Sequence, residues 1–138
     1  MRFMVLVKAT KQSETGAPPS AEMLSQMGKF NQQLIDAGIL LDANGLQPTS
    51  KAARVKLSSG KRTVVDGPFA EAKELVAGYW IWQCKSLAEA VEWVKRCPDP
   101  MPGEDSEIEI RPIIDLADLP DVPEDVRKME QSFRSAQK

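Results

Sequence analysis

Asp66 heads a short charged run, Asp66-Gly67-Pro68-Phe69-Ala70-Glu71-Ala72-Lys73-Glu74, in which three carboxylates and one ammonium fall within nine residues. Carboxylates beside an ammonium can take and return protons or stabilise a developing negative charge. Asp-Gly-Pro is also strong turn chemistry: Asp bonds nearby backbone N–H groups, Gly permits positive φ, and Pro fixes φ and removes a donor. Turn formation is therefore an alternative occupation for the same Asp66. The chain has no histidine, which removes Ser-His and Cys-His nucleophile pairs, His-ligated haem and His-based zinc sites. Any acid–base work falls to carboxylates, Lys, Tyr or Cys. Cys84 and Cys97 are too few and too far apart for a disulfide framework or a paired metal motif, and Cys84 among apolar neighbours reads as a buried thiol. Oxygen ligands from Asp66, Glu71 and Glu74 would suit a hard cation, but their spacing matches no EF-hand-type loop. No metal or cofactor is expected.

The flanking sequence says what must position that run. Residues 2–8 alternate Phe3, Val5 and Val7 with Met4 and Leu6, apolar on both faces, which predicts a central strand. A polar loop follows, and Ser20 is placed to cap a helix whose buried face is Leu24, Met27, Phe30 and Leu34, closed by Gly38. Glu22 lies in its first turn, where the helix dipole favours a carboxylate. Ile39-Leu40-Leu41 opens a second strand. Residues 53–57 and 62–65 around Ser58-Ser59-Gly60-Lys61 predict a hairpin with one wet face that delivers the chain to Asp66 at the end of a buried strand. Leu75 to Cys84 is the strongest strand, with Trp80, Trp82 and Cys84 on one side and Tyr79 and Ile81 on the other. Ser86-Leu87-Ala88-Glu89 is a capping box opening a helix with Leu87, Ala90, Val91 and Val94 inward; residues 106–113 form a last strand, with Pro112 marking an edge or end.

Strand, helix, strand, inserted hairpin, strand, helix, strand is the ferredoxin-like βαββαβ plan, an α+β fold. Two helices cover one face of a four-stranded sheet. Trp80, Trp82, Met4 and Leu6 imply that the other face is apolar too, so a second copy is expected to cover it, giving a homodimer. Residues 1–114 form the domain. Residues 115–138 are an acidic tail in which Val122, Val126, Met129 and Phe133 fall at helical spacing.

A chain of 138 residues is long enough for one domain with its own core, and a net charge of −2 with no basic stripe argues against nucleic acid. No apolar run has the length of a membrane span, and the N-terminal residues read as a strand rather than a signal peptide; a cytoplasmic location is expected.

Asp66-Gly67-Pro68-Phe69 with Ala70-Glu71-Ala72-Lys73-Glu74 resembles the signature of the bacterial DGPF proteins within the YCII-related family. Met1-Arg2-Phe3-Met4, Gly45-Leu46, Tyr79-Trp80-Ile81-Trp82 and Glu107-Ile108-Glu109-Ile110-Arg111-Pro112 follow in the family's order. The resemblance implies a dimeric α+β barrel. Some shorter relatives carry a His near the start of the first helix, paired with an Asp as a proposed dyad, and Glu22 stands at the corresponding place. A Glu there needs a raised pKa to shuttle protons near neutrality.

Two functions are compatible with these residues. In the first, the chain is an enzyme moving a proton on a small, partly apolar organic molecule: Asp66 is the base, Glu22 the neutral acid, Lys73 or Arg111 stabilises an oxyanion, and Trp80 and Trp82 form an apolar wall. In the second, it is a non-catalytic ligand-binding or interaction module; the resemblance implies a link to extracytoplasmic-function sigma factors as partners.

Overall fold

The computed structural model describes residues 1–137. Its elements are β1 (Arg2–Lys8), α1 (Ala21–Asp36), β2 (Leu40–Gly45), β3 (Ala53–Ser58), β4 (Lys61–Asp66), β5 (Val76–Gln83), α2 (Leu87–Lys95), β6 (Ile108–Pro112) and α3 (Glu124–Ala136). Four strands form an antiparallel sheet in the order β2-β5-β1-β6, while β3 and β4 pair only with each other. This mixed α+β arrangement is compatible with the ferredoxin-like plan, with the hairpin inserted between β2 and β5. No helix among the described residues is long and apolar enough to cross a membrane.

Local chemistry explains the boundaries. Ser20 Oγ accepts from the Met23 amide and starts α1; Ser86 Oγ accepts from the Glu89 amide and starts α2. The Glu89 carboxylate accepts from the Lys85 amide, one residue short of a reciprocal capping box. Ser59 and Gly60 both have positive φ, the mirror-image turn that suits the right-handed twist of a two-residue hairpin.

The core lies between the sheet and α1 and α2. Phe3, Val5, Val7, Trp80, Trp82 and Cys84 face Phe30, Leu34 and Ala90. Phe30 meets the edges of both indoles, with ring centroids 6.1 and 6.3 Å away.

Four expectations are corrected here. Trp80 and Trp82 do not share a face with Met4 and Leu6: the register pairs Phe3 with Trp82 and Val5 with Trp80, so the indoles sit under the helices, and Met4 and Leu6 pair with Ile81 and Tyr79 on the far side. Each strand reads as apolar on both faces, and only the pairing decides which faces coincide. The hairpin is wet on both faces, not one: Val55, Leu57 and Val64 are 57%, 67% and 65% exposed because β3 and β4 stand apart from the main sheet. Asp66 therefore ends an exposed ribbon rather than a buried strand. On α1 and α2, Leu24 and Leu87 are also exposed, leaving Phe30, Leu34 and Ala90 as the buried anchors.

The tail forms α3 at the predicted spacing. Its residues Arg127, Glu130 and Arg134 share a groove with Leu41 and Ile81 of the sheet's far face, while Met129 and Phe133 stay exposed.

Candidate functional site

The Asp-Gly-Pro-Phe corner is clamped from several sides. The Gly67 amide donates to the Ala52 carbonyl at 2.9 Å, the Phe69 amide donates to Thr49 Oγ1 at 3.1 Å, and the Gly67-Pro68 peptide is cis. The Glu14 carboxylate accepts from the Thr49 amide and hydroxyl, tying the loop after β1 to the same corner. The Arg54 guanidinium lies over the Phe69 ring, 3.7 Å from its centroid. A side chain at position 67 has nowhere to go, since its Cβ would stand 1.6 Å from the Thr49 carbonyl oxygen. Every one of these contacts uses backbone or a neighbour of Asp66, whose own carboxylate is exposed and has no ion pair among the described residues.

The largely apolar cavity lies elsewhere, between α1 and the β2–β5 end of the sheet, with a volume of about 320 Å³. Its floor exists because two glycines face each other across the strands. Gly45 pairs with Gly78, and beside them Val7, Ala43 and Trp80 project from the same face of the sheet. Met23, Leu24 and Met27 of α1 form the roof. Trp80 and Asn31 close the inner end, joined by a 2.9 Å hydrogen bond from the indole Nε1 to Asn31 Oδ1. Met101 and Pro100 close another side. The loop carrying Met101 is held by Thr10, a buried polar residue whose hydroxyl donates to Glu104 Oε1 at 2.8 Å and lies 3.7 Å from the Met101 sulfur. The volume is at the lower end of the range of about 300–1,000 Å³ typical of ligand pockets, and the apolar walls with few polar groups resemble theirs.

Of the six residues singled out in the sequence, Trp80 alone lines this cavity. Trp82 is fully enclosed in the core beneath α1 and α2. Glu22 precedes the lining residue Met23, but its exposed carboxylate accepts from Gln26 on its own helix. Lys73 is exposed in the turn before β5. Arg111 pairs with Met4, on the sheet face away from the cavity, and its guanidinium lies 3.9 Å from Glu109. Sequence reasoning assigned no site role to Asn31 or Met101, and Gly45 stood out only as part of the Gly45-Leu46 resemblance. Their signal was faint: Gly45 reads as one more position of the second strand, and Asn31 sits beside the apolar stripe of a helix.

Neither thiol is set up as a nucleophile. Burial pushes the Cys84 thiol up, aided by Glu89 and partly opposed by the N-terminal ammonium. Cys97 is pushed up to about 12, first by burial and then by the Asp99 carboxylate, and its S–H donates to the Pro98 carbonyl at 3.2 Å. The folded state favours the protonated thiol, so the Cys97 contribution to stability is intact below about pH 9 and declines as pH rises toward 12. In a Cys84→Ala background, iodoacetamide alkylation of Cys97 is expected to be slow at pH 8 and to accelerate only well above pH 10. The same protein in urea should show an ordinary thiol profile, with a midpoint about pH 8.5. Coincident folded and unfolded profiles would refute the shift.

The chain combines an antiparallel sheet under two helices with an apolar hollow between α1 and the strands, a small α+β protein. The chain belongs to the YCII-related domain family, whose profile matches residues 1–117. It is similar to an uncharacterized protein of Rhizobium meliloti (strain 1021), 33% identical over 91 residues, covering 66% of this chain and 73% of that protein.

Proposed function

We propose that the chain binds a small organic molecule in the cavity between α1 and the β2–β5 floor. The observation that carries this reading is the Gly45–Gly78 pair, which leaves the sheet bare beneath an apolar roof. The lining carries no Asp, Glu, Lys or Arg, so the reading is of binding rather than of carboxylate acid–base turnover at Asp66 and Glu22.

Gly45→Val tests it. A Cβ at Gly45 meets nothing within 4 Å and the residue has no positive φ, so the variant should fold as the parent does while its side chain occupies the hollow. Thermal-shift and ligand-observed NMR screens with neutral aromatic fragments should give hits for the parent and lose them in Gly45→Val, with affinity falling at least about 100-fold where it can be measured. Hits that persist unchanged in a folded Gly45→Val protein would sink the reading.

The expected homodimer is proposed with it. Met4, Leu6 and Ile81 lie on the sheet face away from α1 and α2, and on α3 Met129 is 62% and Phe133 55% exposed. A second copy laid over that face would bury both sets, as an α+β barrel does. Sedimentation equilibrium at micromolar concentration should give twice the chain mass; a monomer would remove the barrel while leaving the cavity, which is built within one chain.

A further inference from the structure

The chemistry of the cavity walls narrows what fits inside, an argument that rests on the binding reading above. An indole N–H can only donate, so its bond to Asn31 fixes the carboxamide with Oδ1 toward Trp80. The two hydrogens on Asn31 Nδ2 are what this residue has left to offer, and they have no acceptor in the protein among the described residues. Asn31 is half-buried and lines the hollow. Tyr79 is the one ionisable residue of the lining, and its phenol is engaged on the other side of the sheet, donating to Asp42 Oδ2 at 3.3 Å and accepting from Asn44 Nδ2 at 3.1 Å. The lining offers a charged ligand no counter-ion. The remaining walls combine the Trp80 ring with the thioethers of Met23, Met27 and Met101. Polarizable sulfur in the walls favours contact with an aromatic ring.

We propose that the cavity is a receptor site for an uncharged aromatic carbonyl compound, its ring held among Trp80 and the three methionines and its oxygen accepting a hydrogen bond from Asn31 Nδ2. The indole–carboxamide bond acts as the orienting device: Trp80 turns the amide so that its donors are the part presented to a ligand. A ketone or amide oxygen suits that donor pair, a carboxylate is excluded by its charge, and a hydrocarbon leaves the donors unmet.

Three matched probes decide it: 2-acetylnaphthalene, 2-isopropylnaphthalene, which replaces the oxygen with a methyl group, and 2-naphthoate. Affinities are measured by equilibrium dialysis on the parent, Asn31→Asp and Gly45→Val. Asn31→Asp keeps an oxygen for the Trp80 N–H but deletes the donors, so the ketone-to-hydrocarbon affinity ratio should fall about tenfold, the size expected for one hydrogen bond. Naphthoate should bind the parent at least tenfold more weakly than the ketone, as an approximate bound. In the parent, the Asn31 side-chain amide resonances in a ¹⁵N–¹H spectrum should move downfield with the ketone and stay put with the hydrocarbon, a readout that needs no variant. An unchanged ratio in Asn31→Asp, a silent amide resonance in the ketone complex, naphthoate binding as tight as the ketone, or no ketone binding would each overturn this assignment. Binding of ketone and hydrocarbon that Gly45→Val abolishes and Asn31→Asp leaves alone would retire the carbonyl assignment and keep the cavity; binding that Gly45→Val spares would retire both.

Discussion

Gly67→Ala is expected to destabilise the protein by about 3 kcal/mol or more, which is a large share of a typical domain's ~5–15 kcal/mol. The cause is backbone against backbone. The added Cβ would lie 1.6 Å from the Thr49 carbonyl oxygen and 2.7 Å from its carbon, so no side-chain rotation relieves it. Thr49 cannot retreat cheaply either, because its amide and hydroxyl are bonded to Glu14 and its hydroxyl also receives the Phe69 amide. Moving it would break partly buried hydrogen bonds at two places along the chain. Asp66→Asn is the contrasting variant. An exposed carboxylate without an ion pair among the described residues should change stability by no more than about 0.5 kcal/mol when neutralised. Urea unfolding of both proteins measures the difference directly. A Gly67→Ala loss below 1 kcal/mol, as a rough threshold, would mean the corner is loose and the clamp account wrong.

Trp82→Ala should cost about 3–5 kcal/mol, while Trp82→Phe should cost far less than its change in size implies. Trp82 is 0% exposed and is the largest fully buried side chain, with its ring centroid 5.5 Å from that of Trp80 and 6.3 Å from that of Phe30. Truncation to Ala removes the largest fully buried member of the aromatic cluster and leaves a void that rigid neighbours cannot fill. Its indole Nε1, however, is buried with no hydrogen-bond partner. Phe keeps most of the ring and deletes that unmet donor, so the two changes oppose each other. At Trp80 the balance runs the other way, since Trp80→Phe deprives Asn31 Oδ1 of its donor. Chemical denaturation of the three variants should rank them Trp82→Phe mildest and Trp82→Ala most severe. Equal losses for the two phenylalanine variants would show that the orphaned indole N–H has no energetic consequence.

The Asp-Gly-Pro-Phe corner shows how a sequence signature can be read correctly as a place and incorrectly as a chemistry. Asp66 stands out because it is charged, yet the close contacts belong to Gly67, Phe69 and Thr49. Glu14 and Arg54, which complete the clamp, lie far from the motif in sequence and carry no local signal.

Element order was legible in the residues because it is set locally: caps at Ser20 and Ser86, the Ser59-Gly60 turn, and apolar spacing of two or about 3.6 residues act within one strand or helix. The tertiary structure decided everything that depends on two elements meeting. Pairing Phe3 with Trp82 sent both tryptophans beneath the helices, a choice neither apolar-faced strand could announce alone. Setting Gly45 opposite Gly78 opened the hollow, because a cavity is made by side chains that are missing at one place in space, and the two glycines become neighbours only when β2 and β5 pair.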